Sequence, residues 1–150
     1  MGIAQELAES IVHRFLTLMR YRHHVSNQLR KTMGISGRQL AVLRYLAEHG
    51  PRSVGEISSH LYVRDASTSS LLDRLERDGY VARTRCQEDN RRVYVHLTEA
   101  GREILAGAPL TPIALMRARL PELAVDELEI IDKALARLSE IAQVDESVLE

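Results

Sequence analysis

Between Ser53 and Leu97 the sequence runs two short helical periods almost end to end and then changes to alternation, an order that few folds accommodate. Ser53 and Glu56 form an S-x-x-E capping box that opens a short helix through Ile57 and Leu61. Tyr62 to Asp65 leaves room only for a tight turn before the next helix. That helix runs from about Ala66 to Asp78, with Leu71, Leu72 and Leu75 facing inward and Gly79 placed for a left-handed C-terminal residue. Two short helices joined in this way make a helix-turn-helix. Tyr80 to Arg85 and Arg92 to Leu97 then alternate in the strand manner around the polar stretch Cys86 to Arg91, which predicts a hairpin, the wing.

The flanks of this segment are helical. Ile3, Leu7, Ile11, Phe15, Leu18, Val25 and Leu29 recur every three or four residues and mark one amphipathic helix reaching about Met33, with Arg22 interrupting the stripe. A helix of roughly 28 residues extends about 42 Å, more than a small domain is wide, so part of its stripe is expected to meet a partner subunit. Gly34 and Gly37 bracket a turn, Ser36 and Gln39 make another capping box, and Leu40, Leu43 and Leu46 carry a helix that ends at His49, Gly50 and Pro51. Beyond the wing, Thr98 caps a further helix that Pro109 and Pro112 must kink or interrupt before it resumes to about Leu120. After Pro121 a last helix aligns Leu128, Ile131, Leu135, Leu138 and Ile141. The expected fold class is α+β, mostly α, with a winged helix-turn-helix at residues 34–98. Residues 1–33 and 99–150 are expected to form a helical dimerisation region in which Ile3, Leu7, Ile11, Leu128, Ile131, Leu135 and Leu138 meet across a two-fold axis.

Several function classes fall away on composition. Glu6 and Glu9 stand where a secretory signal carries lysine or arginine, and no apolar run approaches the roughly 18 residues of a membrane span, so a cytoplasmic chain without a membrane partner is expected. Cys86 is the single cysteine, which rules out an internal disulfide, a CxxC pair and a cysteine-rich zinc site. The six histidines show no H-x-x-x-H or H-E-x-x-H spacing, so neither metal nor other cofactor is expected. With no G-x-S-x-G elbow, Walker loop or dinucleotide fingerprint, no enzyme is expected either. The net charge of -1 hides a basic body and an acidic tail: residues 1–102 hold 16 lysines and arginines against 11 acids, residues 103–150 only 4 against 10. Only Lys31 and Lys133 are lysines, and arginine suits bidentate phosphate and base contacts.

At the wing the chain reads DNRRVYVHLTEAG, with Asp89, Arg91, Leu97, Thr98 and Gly101 in the places of a D-x-R-x-x-x-x-x-L-T signature followed by glycine. Upstream, LLDRLERDGYV spans Leu71 to Val81. Together these resemble the MarR family of bacterial transcriptional regulators, and element order and length extend the resemblance over the whole chain. It implies a homodimer that binds a pseudo-palindromic DNA duplex, by default a repressor, with release from its operator by a small aromatic or acidic effector. In a helix-turn-helix the second helix enters the major groove with its N-terminal residues at the base edges. Here those are Arg64, Ala66, Ser67, Thr68, Ser69 and Ser70, with Arg74 later on the helix. The family often carries arginine where this chain has Ser70, which shifts expected specificity toward Arg64, the wing and DNA shape.

At the wing tip the resemblance implies that Arg91 enters the minor groove with Asp89 holding its guanidinium, while Arg83, Arg85 and Arg92 flank the hairpin near phosphates. Leu97 is expected to plug the wing into the core and Thr98 to cap the next helix. His13, Arg20 and His24 share one face of the first helix, where a cation and imidazoles suit a carboxylate or phenol, and equally suit a solvated face. Two other readings stay open: a winged-helix module that binds protein instead of DNA, and a regulator switched through the Cys86 thiol.

Overall fold

A computed structural model describes residues 2–89 and 91–149; Met1, Glu150 and Asn90, the variable position inside the wing signature, lie outside the described residues. Helix α1 (Ile3–Met33) ends at Gly34, whose φ of 69° lets its N–H reach back to the Arg30 carbonyl. Helix α2 (Gly37–His49) opens on Ser36, where both halves of the capping box form: Gln39 N–H donates to Ser36 Oγ at 3.2 Å and Ser36 N–H to Gln39 Oε1 at 2.8 Å. A two-residue strand β1 (Arg52–Ser53) precedes α3 (Val54–Leu61), which Ser53 and Glu56 cap in the same reciprocal way. Tyr62, in the left-handed region at φ 58°, turns the chain into α4 (Asp65–Arg77). Strands β2 (Val81–Arg85) and β3 (Val93–Leu97) form the hairpin, pairing Val81 with Leu97 and Arg85 with Val93.

β1 is an element the sequence pattern did not predict, since two residues carry no alternation. It pairs Arg52 with Val95 and Ser53 with Tyr94, giving a three-stranded antiparallel sheet of order β1-β3-β2. The wing is thereby sewn to the start of α3. Past the sheet come α5 (Glu99–Ala106), α6 (Pro112–Arg119) and α7 (Val125–Ile141), with short 3-10 turns at Leu120–Glu122 and Glu146–Val148. Of the two outcomes expected at Pro109 and Pro112, a kink or an interruption, the structure shows the interruption: α5 and α6 are separate helices with residues 107–111 between them. Pro112 starts α6 at its first turn, where the missing N–H costs nothing, and Thr111 caps it.

Among the described residues, the buried apolar side chains all lie between Leu29 and Leu97. α2 contributes Leu40, Val42, Leu43 and Leu46, α3 Ile57, α4 Leu72 and Leu75, and the sheet Val81, Val95 and Leu97. Each such side chain stabilises the fold by about 1.5–3 kcal/mol through removal from water. α1 sends in only Leu29, with Val25 and Met33 packed at the edge, and α6 and α7 bury no residue fully. No helix among the described residues is long and apolar enough to cross a membrane.

Candidate nucleic-acid interface

The inner face of α4 is fixed by Thr68, Leu72 and Leu75, all at 0% exposure. Thr68 is a correction to the sequence-based expectation: its hydroxyl accepts from Ser58 Oγ at 2.8 Å and donates to the Arg64 carbonyl at 3.3 Å, tying α4 to α3 inside the domain, so it faces no groove. Ser67 and Ser69 are half-buried at the flanks. The outer face is left to Ala66, Ser70, Asp73, Arg74 and Arg77, all exposed. Ser70 Oγ donates to the Ala66 carbonyl at 3.3 Å, which keeps this part of the helix small and smooth. Past Asp65, itself exposed at the start of α4, a face of alanine and serine can approach base edges closely, with the arginines following a turn later.

The wing leaves α4 through Gly79, at φ 82°. Its tip closes with Cys86 N–H on the Arg92 carbonyl at 2.8 Å and Arg92 N–H on the Asp89 carbonyl at 2.9 Å. Asp89 Oδ1 accepts from both the backbone N–H of Arg91, at 3.0 Å, and its Nε, at 3.4 Å. The Arg91 side chain is nevertheless 94% exposed, so the carboxylate aims it without covering it. Arg92 is hydrogen-bonded to the Tyr94 side chain, which favours its charged form. Arg85 is exposed on the outer strand. Arg83 is not directed outward: its guanidinium lies on Asp73 at 2.8 Å.

The residues after the hairpin explain one another. Leu97 is buried at 6% exposure. Thr98 Oγ1 donates to the Gly79 carbonyl at 2.6 Å and accepts from Gly101 N–H at 3.1 Å, while Thr98 N–H reaches the Tyr80 carbonyl at 3.1 Å. A Cβ at Gly101 would collide with that same Tyr80 carbonyl. Leu-Thr-x-x-Gly is therefore the joint that locks the end of the wing, the turn after α4 and the start of α5 together.

Two contacts bring the C-terminal third against the turn between α3 and α4. Arg117 Nη2 donates to the His60 carbonyl at 2.7 Å and Nη1 to His60 Nδ1 at 3.3 Å, with its guanidinium 5.9 Å from the Tyr62 ring centre. His60 stacks on Tyr45 at 4.0 Å, and burial, then the charges of Arg117 and His49, lower its pKa. Farther along, Arg64 Nη2 donates to the Ser147 carbonyl at 2.6 Å, so the residue that precedes α4 is held by the tail. His13, Arg20 and His24 are all exposed on α1. Ile3, Leu7 and Ile11 are 77%, 58% and 47% exposed. On α7, Leu135 is exposed while Leu128, Ile131 and Leu138 are half-buried.

A family model described as MarR family matches residues 33–92, from the end of α1 to the tip of the wing, short of β3. The transcriptional repressor MdtR of Bacillus subtilis is 32% identical over 117 residues, covering 75% of this chain and 73% of MdtR. The chain belongs to the MarR family. A second B. subtilis relative, the uncharacterised HTH-type transcriptional regulator YfiV, is 34% identical over 67% of the chain, and the chain spans 63% of its length. Among solved structures, the MarR family regulator Sco3205 of Streptomyces coelicolor, determined in complex with DNA, is similar with a TM-score of 0.66 and 24% identity, over 99% of this chain and 94% of that one. The MarR fold thus covers α1 and the C-terminal helices as well as the winged segment.

Proposed function

We propose that this MarR-family chain is a homodimeric, sequence-specific DNA-binding regulator, a repressor as MdtR is named. Residues 34–98 bind the duplex, and residues 1–33 and 99–150 pair the subunits. The observation that carries the reading is Arg91: a guanidinium at the tip of a hairpin, steered by Asp89 and 94% exposed, beside a recognition helix whose outer face starts with Ala66 and Ser70. An arginine so presented suits the narrow, strongly negative minor groove of an A·T tract. Arg64, Ser67, Ser69, Arg74, Arg85 and Arg92 complete the contact surface. The uncovered stripe of Ile3, Leu7 and Ile11 on α1 supports pairing with a second copy, since contiguous apolar surface of that size is rarely left to water. His13, Arg20 and His24 become an effector site only where a partner subunit walls them in, and the ligand class they suit is an aromatic or other small acid.

The test is selection of bound duplexes from a random pool at two salt concentrations, with sedimentation of the free protein. A dimer that recovers a palindrome with half-sites about one turn, roughly 34 Å, apart supports the reading. A monomer, or binding without sequence preference that vanishes at physiological salt, overturns it. On the recovered site, Arg91→Ala is expected to weaken binding by about 1–3 kcal/mol, with preference lost mainly at the flanking A·T positions.

A further inference from the structure

The base of the wing is held by β1 and by the joint of Thr98, Gly79 and Gly101, which leaves the pitch of the outer hairpin to contacts farther along it. One side chain there reaches back to the recognition helix. Arg83, in the middle of β2, turns back onto α4: Nη1 lies 2.8 Å from Asp73 Oδ1 and 3.9 Å from Glu76 Oε1, and Nη2 reaches the Ser69 carbonyl at 3.5 Å. Its own backbone N–H donates to Glu76 Oε2 at 3.2 Å. Three residues on successive turns of α4 thus hold one residue of the wing, by side chain and main chain together. The Arg83 side chain is 27% exposed, against 58% and 43% for those of Asp73 and Glu76, so it is the inner member of the cluster. A planar fork that satisfies several acceptors at once defines an orientation as well as a distance.

We propose that Arg83 is a positioning residue: it sets the angle between wing and recognition helix, so that Arg91 and the N-terminal end of α4 reach adjacent grooves together. The proposal rests on the DNA-binding reading above and moves Arg83 from the phosphate-contacting group to the frame that aims it. It also gives Asp73 and Glu76 a purpose on a helix meant to meet phosphates, where an unpaired carboxylate repels.

Asp73→Asn separates this from a simple charge effect, because it removes a negative charge near the duplex and leaves every cation in place. If Arg83 and Asp73 act only through their charge, the variant binds DNA as well as or better than wild type. With Arg83 as the positioning residue, it binds about five- to tenfold more weakly, the worth of one misplaced groove contact. Protection of the flanking minor groove is lost and that of the central major groove kept. The effect of Arg91→Ala is then much smaller in the Asp73→Asn or Arg83→Lys background than in wild type, since the contact it deletes is already displaced. Additive losses identify Arg83 as a contact in its own right and overturn the proposal. Thermal melts of the variants exclude unfolding. Residual dipolar couplings of the free proteins give a readout independent of DNA: the wing amides are expected to reorient relative to α4 in Asp73→Asn, and an unchanged orientation overturns the proposal whatever the DNA results. Absence of any specific footprint from wild type counts against the DNA reading alone.

Discussion

Gly101 shows how little room the joint behind the wing has: an added methyl meets the Tyr80 carbonyl and the Leu97 side chain at once. Because the first obstacle is backbone, Gly101→Ala is expected to destabilise the protein by about 1–3 kcal/mol, read as a lower urea midpoint with the slope unchanged. His60 adds a dependence on pH. Arginine can only donate, so the 3.3 Å contact from Arg117 requires His60 Nδ1 to be unprotonated. Its pKa is lowered in the folded chain, first by burial and then by Arg117. The unfolded chain therefore takes up the proton first, and stability that is full above the ordinary histidine value of roughly 6.5 falls as pH drops through it toward the lower folded value. Melting temperature is expected to decline from pH 7.5 to 5.5 more steeply in wild type than in His60→Gln; equal slopes remove His60 from the account. At this scale the sequence was legible where a residue has a local partner, as with Ser36, Ser53, Thr98 and the Asp89–Arg91 pair. It misled at Thr68, which looked like one more hydroxyl in a run. The signal was present all the same, since Thr68 stands four and seven residues before Leu72 and Leu75 and so shares their buried face.

The helices were legible as elements because their ends carry chemistry: capping boxes at Ser36 and Ser53, Gly34 and Gly79 in the left-handed region. β1 was not, for its two residues become a strand only by meeting Val95 and Tyr94 across the sheet. The contacts of Arg83 were not legible for a related reason. Its partners Asp73 and Glu76 are distant in sequence, and only the folding of β2 back past α4 brings them within reach. The break between α5 and α6 was foreseen at Pro109 and Pro112, but a proline reads alike as a kink or as a first turn until the preceding cap is seen. Thr98 belongs to this scale, since it closes three elements. Thr98→Val removes the α5 cap and the bond to the Gly79 carbonyl together, and is expected to cost about 1–2 kcal/mol in denaturant unfolding, more than an ordinary cap.

The molecule as a whole is one packed domain with long helices attached at its margins. Its C-terminal third lies back against the helix-turn-helix, where the Ser147 carbonyl holds Arg64. A chain ending at Ala142 releases that guanidinium and removes Asp145 and Glu146 from its surroundings. It is expected to bind duplex DNA several-fold more tightly at low salt, measured by fluorescence anisotropy, with no gain in an Arg64→Ala background; an unchanged affinity shows that the tail yields freely. This long-range contact was beyond sequence reasoning, which sees an acidic tail but not what it touches. At the other end, α1 is a rod of 31 residues packed on the domain at Val25, Leu29 and Met33. At helical rise it is about 46 Å long, so a rotation of about 10° at its anchored end carries the far end through about 8 Å. The helix is in mechanical terms a lever with its fulcrum beside Gly34. Whatever grips Ile3 and Leu7 converts a displacement of several ångströms there into a small, stiffly transmitted rotation of the DNA-reading face, and a modest change at that face into a large one where the subunits would meet.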